Sequence, residues 1–452
     1  MSINVGMVSL GCPKNQVDGE ILLNLIQQDP EFALQGDPEQ CDVVLINTCG
    51  FIDDAKQESI DTILEFCALK ETGRLRCVIV TGCLAQRYKE EILREIPEVD
   101  GVVGIGSNAE IVSIIRRALG GEKAQSFGSE YDLPLGGGRI LTTPAHYAYL
   151  KISEGCSNRC TFCAIPYIRG DFRSRPIEEV VQEAGELADF GVKELIVIAQ
   201  DTTRYGEDLY GEPSLARLLR ELVKLPFRWI RLMYCYPDRI TDELLSIIRD
   251  SDNIVKYIDI PLQHTNREVL RRMGRKGDDR WVRSVIEQIR REVPGVFIRT
   301  TLLAGFPGET EEQFEELCRF VDDMRFERLG CFAYSQEEGT PAARLDGQLE
   351  EEEKRARAQL IMDKQTLIMG EYCQKKVGAQ VEVMVDGYDP EEFCYVGRTQ
   401  YDAPEIDGTV RFSSERELEP GEFVQVLVEE ADDFDLYGRL IEEGGNGDES
   451  AQ

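Results

Sequence analysis

The chain has 452 residues, 42% hydrophobic and 30% charged, which suffices for two or three domains with sizeable cores. Its formal net charge of −33 argues against a polyanion as the main partner, because binding phosphates takes a surplus of Lys and Arg. Every apolar run falls short of the ~20 residues of a membrane span, and the 14 cysteines cluster as in metal-binding proteins of a reducing cytosol. We therefore expect a cytoplasmic protein without a membrane partner.

Residues 1–135 predict a doubly wound α/β domain, because short β-branched runs alternate with helical patterns. The predicted strands are 5–10, 43–46, 78–80 and 102–105. The predicted helices are 16–28, 53–70, 88–95 and 108–119. Open sheets of this kind bind ligands at the carboxyl ends of their strands.

Three cysteines fall at that edge: Cys12, Cys49 and Cys83 each follow a predicted strand. The other three cysteines of the domain lie at strand starts or within a helix and are typical of small buried hydrophobes; they are Cys41, Cys67 and Cys77. Position therefore favours one shared metal cluster over the alternative of three unrelated core thiols.

A glycine-rich segment at 136–138 predicts a linker within 133–144. After it, six strand-like runs alternate with amphipathic helices over residues 142–373, which predicts an open partial (βα)6 barrel of the TIM type. The predicted strands are 147–153, 194–199, 229–234, 254–260, 296–303 and 329–333. The predicted helices are 177–190, 214–225, 242–249, 279–292, 311–323 and 350–372.

The loop after the first barrel strand carries Cys156, Cys160 and Cys163 at CxxxCxxC spacing. Three thiolates hold three corners of a 4Fe–4S cubane and leave its fourth iron open to a small molecule. A zinc site would need a fourth ligand, which folding would have to supply from His146. A redox dithiol would use two of the thiols and leave Cys156 unexplained. The cluster is the preferred interpretation, with zinc and the dithiol as alternatives.

The sequence pattern changes in residues 374–442. Short strands with Gly and Pro turns, without helical periodicity, predict a small OB-like β-barrel. The predicted strands are 381–385, 393–396, 408–412 and 423–429. From residue 374 onward, the chain has 21 Asp and Glu but only 6 Lys and Arg. The acidic tail at 443–452 is expected to be disordered.

The cysteine loop, with Phe162 before its last cysteine, resembles the signature of radical S-adenosylmethionine (SAM) enzymes. Further motifs resemble the methylthiotransferase subfamily and, within it, the RimO-type branch, which modifies an aspartate of ribosomal protein S-twelve of the small subunit. These motifs are LGCPKN at 10–15, CTFCAIP at 160–166, AQDTTRYG at 199–206 and DIPLQH at 259–264. The tRNA-modifying branch is similar to a Pro-Val-Gln-Ser pattern at the last of these sites.

The resemblance implies an N-terminal cluster domain, a radical SAM barrel and a C-terminal TRAM barrel, with two 4Fe–4S clusters and SAM as cofactors. Cys12, Cys49 and Cys83 would hold the second cluster. One SAM would methylate a sulfur carried there, and another would be cleaved at the first cluster to the radical that abstracts the aspartate β-hydrogen. An external donor would supply electrons. No catalytic side chain beyond the cluster ligands is implied.

Weaker candidates have ordinary structural alternatives. For SAM we predict contacts from Phe162, Gln200, Asp201 and Gly305, which core packing, helix capping and a tight turn would also explain. For the substrate carboxylate we predict contacts from three arginines, with surface salt bridges as the alternative; they are Arg169, Arg173 and Arg175.

Two rival functions remain open from the sequence: a tRNA adenosine methylthiotransferase and a non-catalytic iron–sulfur protein. The acidic C-terminal barrel disfavours tRNA and suits a basic ribosomal protein. We expect a monomer.

Overall fold

The computed structural model describes residues 2–73 and 75–441. The acidic tail predicted at 443–452 lies outside the described residues.

The N-terminal domain is built on one parallel sheet of six strands, with the order β2-β1-β3-β4-β5-β6. The strands are β1 Ile3–Ser9, β2 Phe32–Leu34, β3 Val43–Thr48, β4 Cys77–Gly82, β5 Gly101–Val103 and β6 Ala124–Ser126. All residues of β3 and β4 are buried, as expected of central strands covered on both faces. The sequence misses β2 and β6 because strands of three residues carry too little periodicity.

Five α-helices cover this sheet: α1 Pro13–Gln27, α2 Asp53–Thr72, α3 Cys83–Tyr88, α4 Glu90–Glu95 and α5 Ile111–Leu119. The predicted helix 88–95 is wrong at its start, because Lys89 takes φ +44° and separates α3 from α4. The predicted helix 108–119 also starts later, since residues Ile105–Glu110 form a 3-10 segment.

The predicted linker packs against α1 and is held there by hydrogen bonds. Ile140 donates its backbone N–H to the Glu20 carbonyl at 3.1 Å. Arg139 and Thr142 both donate to the buried Glu20 carboxylate, at 2.9 and 2.8 Å. The connection between the first two domains is therefore held by hydrogen bonds that centre on the backbone and side chain of Glu20.

The central domain contains the predicted six-stranded open barrel, which confirms the fold class. Its strands, with the small hairpin β8–β9, are β7 Tyr147–Lys151, β8 Ser153–Glu154, β9 Arg173–Ser174, β10 Glu194–Ile198, β11 Trp229–Leu232, β12 Ile254–Asp259, β13 Phe297–Ala304 and β14 Arg328–Ala333. The parallel order is β14-β13-β12-β11-β10-β7.

Helices follow the strands of this sheet, and the apolar sides of the longer ones pack on its outer face in the largest core among the described residues. They are α6 Ile165–Arg169, α7 Ile177–Asp189, α8 Glu207–Tyr210, α9 Leu215–Leu222, α10 Asp242–Asp250, α11 Arg267–Arg272, α12 Asp279–Glu292, α13 Glu311–Met324 and α14 Glu351–Gln374. Among the described helices, none combines the length and apolar content that a membrane crossing requires.

The C-terminal domain is a closed barrel with the order β15-β16-β17-β19-β18. Its strands are β15 Gln380–Asp389, β16 Cys394–Arg398, β17 Val410–Ser413, β18 Phe423–Ala431 and β19 Leu436–Leu440. The sequence misses β19, whose exposed positions are polar or glycine. The domain docks at the beginnings of the central strands, where Arg398 pairs with Glu194 at 2.7 Å and His146 contacts Asp386 at 2.8 Å.

Candidate active site

The N-terminal sheet brings its three predicted ligands to one edge. Cys12, Cys49 and Cys83 follow β1, β3 and β4, which are adjacent strands. Gly11 lies at φ +89°, and a Cβ there would stand 3.0 Å from the Cys49 sulfur. Glycine is thus needed for the close approach of the two loops, which forms a cradle beside the thiols.

The thiols of this edge are held in a buried setting. Burial raises the pKa of Cys83 to about 12, and it raises the pKa of Cys49 with help from the nearby Cys12. A metal cluster would have to displace these protons when it binds. Soft sulfur donors without competing disulfides fit an iron–sulfur cluster, since in the described chain all 14 cysteines are unbridged.

The second triplet lies in the loop that β8 and β9 frame at the carboxyl edge of the central sheet. Gly155 takes φ +73°, and the Cys156 N–H donates to the Gly170 carbonyl at 3.1 Å. The Cys163 N–H closes a turn on the Cys160 carbonyl at 3.1 Å. Burial raises the pKa of Cys156 to about 11 and raises that of Cys163 further.

Two side chains outside the predicted site residues contact Cys160, and one of them, Arg275, is buried although the sequence suggests a solvated helix end. The Tyr236 hydroxyl lies 3.1 Å from its sulfur, and Arg275 lies 3.8 Å from it. The Arg275 guanidinium also stacks on the Tyr236 ring at 4.2 Å. Both residues come from elements distant in sequence, so no local motif marks them.

Backbone strain collects at the same edge. Tyr234 and Gln263, after β11 and β12, have φ of 59° and 72°, and Arg159 of the cysteine loop has φ 53°. Non-glycine residues in this region are costly and concentrate at functional sites. The strain agrees with an active site at the carboxyl ends of the barrel strands.

One cysteine of the N-terminal triplet lies beside the second cysteine loop across the domain boundary. Cys83 packs against Ala164 and Ile168, and Ala164 directly follows Cys163. Among residues 2–73 and 75–441, no three His, Cys, Asp or Glu side chains converge closely enough to hold a single ion. A cubane occupies the space between its ligands, so thiolates around it stand farther apart than those around one ion.

A buried ionic group joins the two triplets. Lys151 contacts Asp18 of α1 and donates to Glu154 at 2.9 Å. Arg169 donates to the same two carboxylates at 2.8 and 3.0 Å. Burial opposes ionisation of Glu154, but the charges of Arg169 and Lys151 outweigh it and hold the pKa of Glu154 well below its usual range. These four charges are therefore mutually compensated.

The predicted SAM contacts Gln200 and Asp201 lie beside the cysteine loop. Gln200 donates to Glu154 at 2.8 Å, and in the described structure its buried amide oxygen has no hydrogen-bond partner. This unmet acceptor fits the ammonium group of SAM. Asp201 accepts from Asn158 of the loop at 2.7 Å, and burial raises its pKa. Within the described chain its carboxylate caps no helix N–H, so the capping alternative fails.

Phe162 and Gly305 have structural roles in the fold. Phe162 packs against the apolar cluster that contains Met273 and Phe306. Gly305 has φ +76°, and a Cβ there would lie 2.5 Å from Lys354 of α14. The core-aromatic and tight-turn alternatives therefore account for both, and their SAM contacts stay predictions.

The three predicted substrate arginines all have partners within the chain. Arg169 belongs to the buried ionic group, and Arg175 donates to the Lys151 carbonyl at 2.8 Å and pairs with Glu183 at 2.6 Å. Arg173 donates to the carbonyls of Tyr131 and Glu130 at 2.6 and 2.9 Å. Their substrate role stays a prediction, and the salt bridge of Arg175 is buried rather than on the surface.

The zinc alternative with His146 is wrong. His146 precedes β7 at the opposite end of that strand from the cysteine loop, and it contacts Asp386 of the C-terminal barrel. The cysteines predicted to be core residues are buried, as expected; they are Cys41, Cys67 and Cys77.

Three family profiles match this chain. The Radical SAM superfamily matches residues 150–321, the Uncharacterized protein family UPF0004 matches residues 4–104, and the TRAM domain matches residues 377–441. A solved structure of the radical SAM methyltransferase TsrM from Kitasatospora setae aligns with TM-score 0.57 and 14% identity, over 84% of this chain and 79% of that one. At this identity the likeness concerns the fold alone.

Fold and matched regions together define a radical SAM enzyme with an N-terminal cysteine domain and a TRAM domain. The ribosomal protein uS12 methylthiotransferase RimO of Desulforamulus reducens is 47% identical over 97% of this chain and 100% of its own length. The ribosomal protein uS12 methylthiotransferase RimO of Clostridioides difficile is 48% identical over 98% of this chain and 99% of its own length. The chain belongs to the RimO family.

Proposed function

We propose that this chain attaches a methylthio group to the β-carbon of an aspartate in ribosomal protein uS12. It is a radical SAM methylthiotransferase by family, with SAM and 4Fe–4S clusters as cofactors. The observation that carries the proposal is the contact of Cys83 with Ala164, the residue after Cys163, because it supports one shared site for the two thiol triplets. Transfer of a sulfur group from one centre to a radical formed at another requires such proximity.

We assign one cluster to Cys12, Cys49 and Cys83 and the other to Cys156, Cys160 and Cys163. When bound, the clusters and SAM supply the radical chemistry that replaces an unactivated C–H bond, which no side-chain acid or base can break. The chain holds the ligands in place through the tight turns at Gly11 and Gly155. The buried ionic group fixes the distance between the two loops and fills the space between them without water-exposed charge.

Gln200 and Asp201 support the SAM side of this assignment. Gln200 presents an unpaired amide oxygen and is oriented by its bond to Glu154. Asp201 holds Asn158 and therefore the conformation of the cysteine loop. We propose that Gln200 accepts from the SAM ammonium and that Asp201 is a support of the loop.

The C-terminal barrel favours a basic protein partner over tRNA. Residues 374–452 hold 21 acidic against 6 basic side chains. Glu405, in a loop of this barrel, borders the same cavity of about 600 Å³ as Cys12. An acidic surface that continues to a cluster ligand suits a basic ribosomal protein. We further propose an external electron donor, a monomeric state and a cytoplasmic location.

We divide the chain into a cluster domain at 1–135, a radical SAM barrel at 142–373, a TRAM barrel at 374–442 and a tail at 443–452. The end of α14 at Gln374 and the start of β15 at Gln380 support the boundary between the radical SAM barrel and the TRAM barrel.

The test uses protein reconstituted with iron and sulfide under anaerobic conditions, reduced, and incubated with SAM and a peptide of the uS12 loop. We expect the peptide to gain the mass of SCH2. A Cys12→Ala variant should lose iron and the product, whereas the matched Cys67→Ala variant should keep both. Modification of tRNA with an affinity that falls steeply with salt would indicate the tRNA branch instead, and iron without SAM cleavage would indicate a non-catalytic protein.

A further inference from the structure

Arg169 stands out among the buried charges because it touches both cysteine-bearing regions. It ends α6, six residues after Cys163 in the printed sequence, and its side chain is 1% exposed. Its Nη1 donates to Asp18 and Glu154. Its Nη2 donates to the Cys83 sulfur at 3.3 Å and lies 3.4 Å from the Asn15 amide oxygen.

Because the two carboxylates are already compensated, Nη2 of Arg169 is available to donate to the Cys83 sulfur. Lys151 already compensates one of the two carboxylates of the ionic group, and Nη1 of Arg169 serves both of them. A role in charge compensation alone would not require Nη2 to face sulfur. The fork of a guanidinium allows both functions at once, which a lysine ammonium cannot reproduce.

We propose that Arg169 is a positioning residue that raises the reduction potential of the cluster at Cys12, Cys49 and Cys83. Reduction adds one electron to the cluster and breaks no bond, so the reduced form carries one more negative charge. A hydrogen bond and a fixed positive charge at a ligand sulfur stabilise that form more than the oxidised one. The inference rests on the proposed second cluster and replaces the predicted substrate role of Arg169.

Arg175 provides a matched control because it is also buried and lies nearby in the chain, directly after β9. It is 4% exposed and donates to the Lys151 carbonyl and to Glu183 instead of a thiol. If buried arginines acted only by holding the two domains together, substitutions at Arg169 and Arg175 would have similar consequences.

The experiment is a potentiometric titration of the reconstituted full-length protein with dithionite, followed by electron paramagnetic resonance. A parallel sample with SAM marks the signal of the other cluster, because SAM perturbs the cluster that it binds. We compare Arg169→Lys, Arg169→Gln and Arg175→Lys with the parent protein. Iron content and the melting temperature of each variant are measured beside the potential.

The expected result is a more negative potential for the N-terminal cluster in both Arg169 variants, larger for Arg169→Gln, and an unchanged potential in Arg175→Lys. The signal that responds to SAM should shift less than the N-terminal one. An unchanged potential in the Arg169 variants, or an equal shift in Arg175→Lys, would overturn the proposal. Loss of the N-terminal iron in both Arg169 variants would also reject it, in favour of a purely structural role. Full iron in a Cys83→Ala variant would instead refute the second cluster itself.

Discussion

Cys160 differs from the other predicted ligands because a tyrosine hydroxyl and a guanidinium contact its sulfur. These groups donate to the thiolate and stabilise the reduced form of whatever cluster it holds. The same principle underlies the proposal for Arg169 at Cys83. In each cysteine triplet, an arginine guanidinium therefore contacts one sulfur: Arg275 contacts Cys160, and Arg169 contacts Cys83.

We predict that Tyr236→Phe slows reductive cleavage of SAM. The change removes one hydrogen bond to a charged sulfur, worth about 1.5 kcal/mol, and so lowers the fraction of reduced cluster. At a fixed reductant potential that only partly reduces the parent cluster, the rate should therefore fall by up to about tenfold. Uncoupled formation of deoxyadenosine measures the rate in the absence of substrate. Tyr372→Phe, in α14 and bonded to the Arg325 carbonyl, is the control and should retain the parent rate. Equal rates for both variants would show that the hydroxyl has no influence on the cluster.

At the scale of elements, the regular strands were predictable and the contacts between elements were not. All six barrel strands carry the apolar, β-branched runs of a sheet covered by helices, so the sequence predicts them to within a few residues. The short strands β2 and β6 have no such pattern. Arg169 was predicted as a substrate contact, but its partner Asp18 lies 151 positions away in another domain, so local patterns carried no information about that pairing.

The docking of the C-terminal barrel onto β10 depends on ionised carboxylates. Burial opposes ionisation of Asp386, but His146 and Arg398 outweigh it and hold the pKa of Asp386 below its usual value. Burial also opposes ionisation of Glu194, but Arg231 and Arg398 outweigh it and lower the pKa of Glu194. A lowered pKa in the folded state stabilises the fold at pH values above the unfolded pKa, and that stabilisation is lost as the pH falls through the folded value.

We therefore predict that Asp386→Asn lowers the free energy of unfolding by about 2 kcal/mol at pH 7. The difference from the parent should shrink as the pH falls from the pKa of an unfolded aspartate, about 4, through the lowered pKa of Asp386 in the folded state. Urea unfolding at several pH values measures it. Asp433→Asn, in the exposed turn between β18 and β19 of the same barrel, is the control. A difference that does not change with pH would contradict the ionic account of docking.

Two ionic contacts hold the N-terminal domain over the barrel. One is the buried ionic group with Asp18 and Arg169. The other is Glu337, which follows β14 and accepts from Lys56 at 2.9 Å and from Arg87 at 2.7 Å. Arg87 also donates to the Gly50 carbonyl beside Cys49 at 2.9 Å. The second contact therefore fixes the loop that carries a predicted cluster ligand.

We predict that Glu337→Gln separates the two halves of the reaction. Without its charge the contact weakens by about 2 kcal/mol, because Arg87 and Lys56 each lose a charge-assisted hydrogen bond, although Lys56 keeps its ion pair with Asp53. SAM cleavage should continue at the parent rate, while the yield of methylthiolated peptide per SAM cleaved should decrease several-fold. Glu352→Gln, on the exposed face of α14, is the control. A parallel loss of both activities would mean that the contact supports the barrel rather than domain alignment.

The magnetic interaction between the two reduced clusters tests the convergence of the cysteine triplets most directly. Electron paramagnetic resonance spectra are compared for the parent and for two variants, each with all three cysteines of one triplet changed to alanine. We predict that the parent spectrum is broadened and relaxes faster than the sum of the two variant spectra, because the clusters lie close together. A parent spectrum equal to that sum would contradict a shared site.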